Sequence, residues 1–178
     1  MNQRSLLPLC LLAAALAAGP ATADVLSDVQ TLMARGDLPA ALRTADAAAK
    51  ANPRDAQARF LHAVVLMEMQ RQDEALAAFM QFSQEYPELP EPYNNIALLH
   101  VRAGRLELAR QALETALRND PGHRAARANL GEVYLMLAVQ AWEHAASTGP
   151  LDPRLMRKLD AARSLVATGA VTAIPAAR

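Results

Sequence analysis

Cysteine, lysine and aromatic residues are all scarce in this chain. Among its 178 residues there is one cysteine, Cys10; aromatic residues make up 4%, and the only lysines are Lys50 and Lys158. A single cysteine cannot form an internal disulfide or a thiolate cluster for zinc. Because strands are enriched in aromatic and β-branched residues, the scarcity of aromatics argues against a β-sandwich or a β-barrel.

An excess of charge of either sign is also missing. Eighteen basic side chains balance eighteen acidic ones, so the formal net charge is zero. Proteins that bind nucleic acid usually carry extra Lys and Arg to neutralise phosphates, and the balance argues against that class. What is abundant is alanine, with forty residues, in a chain that is 52% apolar. Since alanine is the best helix former, the composition indicates a folded, mainly helical protein.

Residues 1–23 have the features of a secretory signal peptide. Arg4 precedes an apolar stretch from Leu6 to Ala18, and residues 21–23 (Ala-Thr-Ala) form the small-x-small pattern of a cleavage site. The stretch is shorter than the roughly 20 residues that a membrane-spanning helix needs. We therefore expect cleavage after Ala23, export to the periplasm, and no stable membrane insertion afterwards. An uncleaved anchor and a buried helix are the alternatives.

The rest of the chain repeats with a period of 34 residues. Three blocks align without a gap, 22–55, 56–89 and 90–123, and each closes on a proline that follows Asn, Tyr or Asp (Pro53, Pro87 and Pro121). Two columns matter most: one holds Ala41, Ala75 and Ala109, and another holds Gly36, Gln70 and Gly104. The apolar spacing predicts two helices per block around a tight turn at the glycine column. Such a hairpin cannot bury its apolar face alone, so successive hairpins must stack.

Motif residues of these blocks resemble the tetratricopeptide repeat (TPR) family. The family's first-helix pattern appears as Tyr93, Ile96, Ala97 and His100, and its second-helix pattern as Ala75, Phe79, Phe82 and Pro87. The resemblance implies an all-α, right-handed solenoid of helix-turn-helix repeats. It also implies a binding scaffold whose concave face is lined by the first helix of each pair.

The fourth unit, residues 124–150, is degenerate. It is about five residues short, and no glycine or proline lies between Gly131 and Gly149 to make a turn. We therefore predict one continuous helix over about 124–147. A last helix at 152–168, with the apolar stripe Leu155, Leu159, Ala162 and Val166, is predicted to cap the solenoid of residues 24–168. Residues 169–178 lack periodicity and are predicted to form a flexible tail.

Motifs that would indicate catalysis or metal binding are missing. The sequence contains no Gly-rich phosphate loop, no G-x-S-x-G and no H-E-x-x-H, and its four histidines show no i, i+4 pair. We accordingly predict a protein that is not an enzyme and that needs no cofactor or metal.

A peptide-binding groove is the remaining candidate site. Asn95 and Asn129 lie 34 residues apart in one slot of successive first helices. The resemblance implies that amides in this slot hold the backbone of an extended peptide, which an amide can do as both donor and acceptor. Around them we place Arg102 and Glu132, with Phe60, Val64 and Met67 as an apolar stripe. Two alternatives stay open: asparagine is simply usual in this slot, and the stripe is core between repeats.

Family members that clamp a C-terminal carboxylate do so with lysines, an arginine and asparagines. Here the corresponding slots hold Phe60, Val64, Asn94 and Leu98, so recognition of that type is not expected.

The favoured hypothesis is thus a scaffold of the bacterial envelope that binds a protein or peptide in its concave groove. A second hypothesis is a self-associating scaffold, dimeric through Trp142 and the C-terminal helices. A third, more remote, is an enzyme that processes envelope lipids or glycans.

Overall fold

The structure, a computed structural model, describes the backbone of residues 20–167 and the side chains of residues 25–167. Most of the predicted signal peptide and the tail at 169–178 lie outside this range, so cleavage after Ala23 stays a prediction. All regular structure within the range is α-helical. Its helices are α1 (Pro20–Ala34), α2 (Leu38–Ala51), α3 (Ala56–Glu68), α4 (Gln72–Glu85), α5 (Pro90–Arg102), α6 (Leu106–Asn119), α7 (Arg124–Thr148) and α8 (Pro153–Ala167).

The first six helices form three hairpins, α1–α2, α3–α4 and α5–α6, joined by turns of the same construction. In the third hairpin the Arg105 amide donates to the His100 carbonyl at 2.8 Å, and the Gly104 amide donates to the Val101 carbonyl at 2.9 Å. This is the pattern of a helix end closed by one left-handed residue. Gly36 and Gly104 hold that position with φ of 77° and 69°. The glycine column predicted from the sequence therefore marks the turn within each of these hairpins.

Gln70 occupies the same left-handed position in the second hairpin, with a φ of 60°. A residue with a Cβ pays about 1–2 kcal/mol for this conformation. Replacing Gln70 with glycine should therefore raise the free energy of unfolding. Since glycine also gains entropy in the unfolded chain, we expect a net gain of about 0.5–1 kcal/mol, measured as a higher Tm by circular dichroism.

The matched control for this prediction is Gly104→Gln. A Cβ at Gly104 would meet no atom within 4 Å, so the substitution changes backbone strain without creating a clash. Its Tm should fall by a similar amount. A Tm that also falls for Gln70→Gly would contradict this prediction. It would show that the Gln70 side chain stabilises the fold by more than its left-handed backbone conformation destabilises it.

Tight turns also join one hairpin to the next. The amide of Asp55 donates to the carbonyl of Asn52 at 2.9 Å, and His123 donates to Asp120 at 3.1 Å. The proline that follows Asn52 or Asp120 has the φ that a β-turn needs at its second position. The prolines that close the blocks thus lie in the turns between hairpins.

Apolar side chains from consecutive hairpins form the core in three clusters along the stack. The predicted small-residue column is fully buried, with Ala41, Ala75 and Ala109 all at 0% exposure. The central cluster is the largest and contains Phe60, which packs among side chains of α3, α4 and α5. Stacking of the hairpins therefore buries the apolar side chains that a single hairpin would leave exposed to water.

The last two helices confirm the prediction of an unbroken fourth unit. α7 is one helix of 25 residues, about 37 Å long at 1.5 Å per residue. Ala138, which follows Gly104 by 34 residues, lies inside it. α8 packs against α7 with Leu159 and Ala162 buried, and Arg163 donates to Glu143 at 2.9 Å. Between residues 20 and 167, no helix is both long and apolar enough to cross a membrane.

Candidate functional site

The first helices of the hairpins present equivalent residues in one register. On α5, Glu91, Asn95, Leu98 and Arg102 follow one another at spacings of four, three and four, which places them on one helix face. Residues 34 earlier or later hold the same slots: Gln57, Leu61, Val64 and Glu68 on α3, and Ala125, Asn129, Glu132 and Met136 on α7. We call these residues of α3, α5 and α7 the inner stripe.

A side-chain hydrogen bond joins α5 to α7 beside this stripe. The Asn129 amide nitrogen donates to Oδ1 of Asn94 at 2.8 Å, and Asn94 is fully buried. Asn129 itself is half-buried. Its amide group therefore has a structural partner, which supports the alternative that this asparagine serves the repeat.

Asn95 occupies the slot of Asn129 one repeat earlier, but its surroundings differ. Its side chain is 1% exposed, and its Nδ2 has no hydrogen-bond partner. The repeat explains the difference, because the slot that holds Asn94 on α5 holds Phe60 on α3. A phenyl ring offers no acceptor oxygen, whereas Asn94 offers one to Asn129. An unpaired buried donor costs free energy, about 1–3 kcal/mol, so it needs an explanation.

The structure places the three predicted apolar site residues in the central core cluster. Phe60, Val64 and Met67 are 1%, 0% and 3% exposed. The Phe60 ring makes edge-to-face contacts with Phe79 and Phe82, at centroid distances of 5.5 and 5.6 Å. Their position agrees with the alternative that the predicted apolar stripe is part of the core between repeats.

Carboxylates of the inner stripe are also short of partners. One oxygen each of Glu68, Glu91 and Glu132 is buried without a hydrogen bond. Burial raises the pKa of Glu132. Burial also raises the pKa of Glu68, and the nearby positive charge of Arg102 partly opposes this. Arg102 and Glu132 are both half-buried.

A concave surface lies between α2 and α4, on the opposite side of α3 from the predicted groove residues. It is a cleft of about 460 Å³, and its wall includes Asp46, Lys50, Arg59, His62 and Glu85. Its charges form pairs with one another: Lys50 with Asp46 at 2.7 Å, and Arg59 with Glu85 through two hydrogen bonds, one of them 2.7 Å long. Because these charges neutralise one another, the cleft favours neither an acidic nor a basic ligand.

Histidines have structural environments in this fold. Burial lowers the pKa of His62, although the Asp46 carboxylate opposes this, and burial also lowers the pKa of His100. Nδ1 of His123 accepts a hydrogen bond from the Ala126 amide at 3.0 Å and so caps α7. In residues 25–167, no three side chains of the metal-ligating types come close enough together to hold a metal ion.

Three large exposed apolar side chains lie on the C-terminal helices. Tyr134 on α7 is 49% exposed, and Met156 and Leu165 on α8 are 46% and 51% exposed. Trp142, which the sequence suggests for a dimer contact, is half-buried on α7.

Glu68 and Glu91 of the inner stripe are not among the site residues predicted from the sequence, although their slots follow from the same 34-residue register as Asn95. Asn94, beside the stripe, enters the sequence analysis only as one of the carboxylate-clamp slots. Its pairing with Asn129 depends on how α5 and α7 face each other, and the sequence alone carries no signal for that.

The architecture is that of a solenoid in which helical hairpins stack on one another. The sequence profile described as tetratricopeptide repeat matches residues 29–90 and 94–176. The chain therefore belongs to the tetratricopeptide repeat family. The second match extends past α7 through α8, so the family pattern continues into the unit that the sequence had indicated as degenerate.

Several solved structures of similar fold are TPR proteins. The Sgt2 TPR domain from Aspergillus fumigatus has a TM-score of 0.63 at 15% identity, covering 85% of this chain and 93% of that one. The first TPR of Spaghetti (RPAP3), bound to the HSP90 peptide SRMEEVD, has a TM-score of 0.59 at 15% identity, covering 64% and 90%. YrrB, a TPR protein with an unusual peptide-binding site, has a TM-score of 0.54 at 24% identity, covering 57% and 53%. No curated protein matches the chain significantly.

Proposed function

We propose that this protein is a non-catalytic interaction scaffold that binds an extended polypeptide segment along the α5 and α7 residues of the inner stripe. Asn95 is the observation that carries the proposal, because its buried amide nitrogen lacks an acceptor. A peptide carbonyl would supply that acceptor once the Asn95 side chain rotates to the surface, and an amide can hold a backbone without selecting its side chains. The RPAP3 domain and YrrB, both similar in fold, are peptide-binding TPR proteins, which supports binding of the same general kind here.

The proposal places the protein in the cell envelope, most simply the periplasm. This location rests on residues 1–23, whose charged start, apolar stretch and Ala-Thr-Ala pattern are those of a secretory signal peptide.

Replacing Asn95 with leucine is the test of the binding role. Leucine fills the same slot on α3, where Leu61 is 1% exposed, and it removes the unpaired donor. We expect the Kd for a partner captured from an envelope extract to rise several-fold, corresponding to about 1 kcal/mol. The Tm should stay the same or rise, since the buried donor no longer lacks an acceptor.

Asn129→Ala is the matched variant. It deletes the hydrogen bond to Asn94, so it should lower the free energy of unfolding by about 1 kcal/mol. If Asn95→Leu leaves the Kd unchanged, the inner stripe does not hold the partner's backbone.

Self-association through the C-terminal helices is the second candidate. The exposed side chains of Tyr134, Met156 and Leu165 favour it, since large exposed apolar residues are used at protein interfaces. A solution mass that doubles with concentration would support this candidate.

A further inference from the structure

We propose that the inner stripe selects a partner segment that carries lysine or arginine. The inference rests on the proposed function and adds the chemistry of the partner. Its first basis is the balance of charge along the stripe, which holds three carboxylates, Glu68, Glu91 and Glu132, and one cation, Arg102.

The positive charge of Arg102 acts on one of these carboxylates. Arg102 occupies on α5 the slot that Glu68 occupies on α3, and it lies close enough for its charge to act on Glu68. These two charges balance each other. The flanking slots add no compensating charge, because they hold only uncharged residues: Phe60, Met67, Asn94, Val101, Ala128 and Leu135. The stripe therefore retains two negative charges, at Glu91 and Glu132.

The positions of these two carboxylates relative to the asparagine slot form the second basis. Glu91 precedes Asn95 by four residues on α5, and Glu132 follows Asn129 by three residues on α7, so each lies one helical turn from the slot. Each has a buried oxygen without a hydrogen-bond donor, and the buried Nδ2 of Asn95 lacks an acceptor.

One ligand chemistry satisfies all three groups. A peptide carbonyl would accept from Asn95, and separate lysine or arginine side chains of the segment would donate to Glu91 and to Glu132. Hydrogen bonds between ionised partners are stronger than neutral ones, especially where water is excluded. An acidic segment such as the SRMEEVD peptide of the RPAP3 complex would instead meet two uncompensated carboxylates.

The experiment uses the full-length protein and three short fluorescein-labelled peptides with blocked ends. All three are built from glycine and serine, with lysine, glutamine or glutamate at the same alternate positions. Fluorescence anisotropy at low salt should show that the lysine peptide binds about tenfold more tightly than the glutamine peptide. The glutamate peptide should bind least. The preference should shrink in 0.5 M NaCl, because salt screens the charges.

The double variant Glu91→Gln, Glu132→Gln should bind the lysine and glutamine peptides equally. Its control is the double variant Asp28→Asn, Asp73→Asn, which removes the same charge from exposed positions outside the stripe and should keep the preference. Equal affinity of the unmodified chain for all three peptides would overturn the inference and leave backbone binding intact. A lysine preference that survives the first double variant would also overturn it. No binding of any peptide would overturn the proposed function as well.

Discussion

Phe60→Ala should lower the free energy of unfolding by about 3–5 kcal/mol, the range observed for large-to-small changes of buried aromatic residues. The side chain is 1% exposed and lies in the cluster that joins α3 to α4 and α5. Its truncation removes the contacts with Phe79 and Phe82 and leaves a cavity that two packed hairpins cannot easily close. At about 2–4 °C per kcal/mol for a chain of this size, the Tm should fall by roughly 10 °C.

Met80→Ala is the control for this prediction. Met80 is on α4, and its side chain is 48% exposed, so its truncation should change stability by less than about 0.5 kcal/mol. Phe60 is also one of the residues that the sequence suggested for the groove. If Phe60→Ala left the Tm unchanged but weakened partner binding, Phe60 would belong to the binding surface and its place in the core would be wrong.

Ala138→Pro should lower the free energy of unfolding by about 3 kcal/mol or more. Proline inside a helix removes one backbone hydrogen bond and clashes with the carbonyl four residues earlier. Ala138 lies near the middle of α7, and the part of α7 beyond it includes Glu143, which pairs with Arg163 of α8. A break at residue 138 would therefore also disturb the packing of α8. Thermal unfolding and the helical circular dichroism signal should both show the loss.

Arg124→Pro provides the matched control within the same helix. Arg124 is the first residue of α7, where proline is tolerated because the amide has no helical acceptor. The control should therefore remain close to the unmodified protein in Tm. Equal stability of Ala138→Pro and Arg124→Pro would show that α7 turns near residue 138, which would make the fourth unit an ordinary hairpin.

The residues with left-handed backbone conformation show which features local sequence signals can predict. Glycine at positions 36 and 104 marks the turns directly, and Gln70 is found only because the 34-residue register places it in their column. The same register predicts the long α7, since Ala138 stands in that column and favours continuing the helix. These features depend on backbone preferences within a few residues, so the sequence contains the information needed to predict them.

Side-chain contacts between different helices could not be predicted from the sequence in the same way. The sequence paired Asn95 with Asn129 as equivalent members of a ladder, whereas the structure pairs Asn129 with Asn94 and leaves the amide nitrogen of Asn95 unpaired. Likewise Arg59 binds Glu85, 26 residues away. Such contacts depend on the distance and rotation between packed helices, which vary continuously with the side chains at the contact.

The sequence by itself therefore determined the family, the hairpins, the turns between them and the unbroken fourth unit, because glycine, proline and alanine act on the backbone locally. Only the tertiary structure decided that Phe60, Val64 and Met67 belong to the core and that Asn95 keeps an unpaired donor beside uncompensated carboxylates. The physical reason is that burial and hydrogen bonding are properties of neighbouring helices together. A repeat that places equivalent residues in equivalent slots does not give them equivalent neighbours.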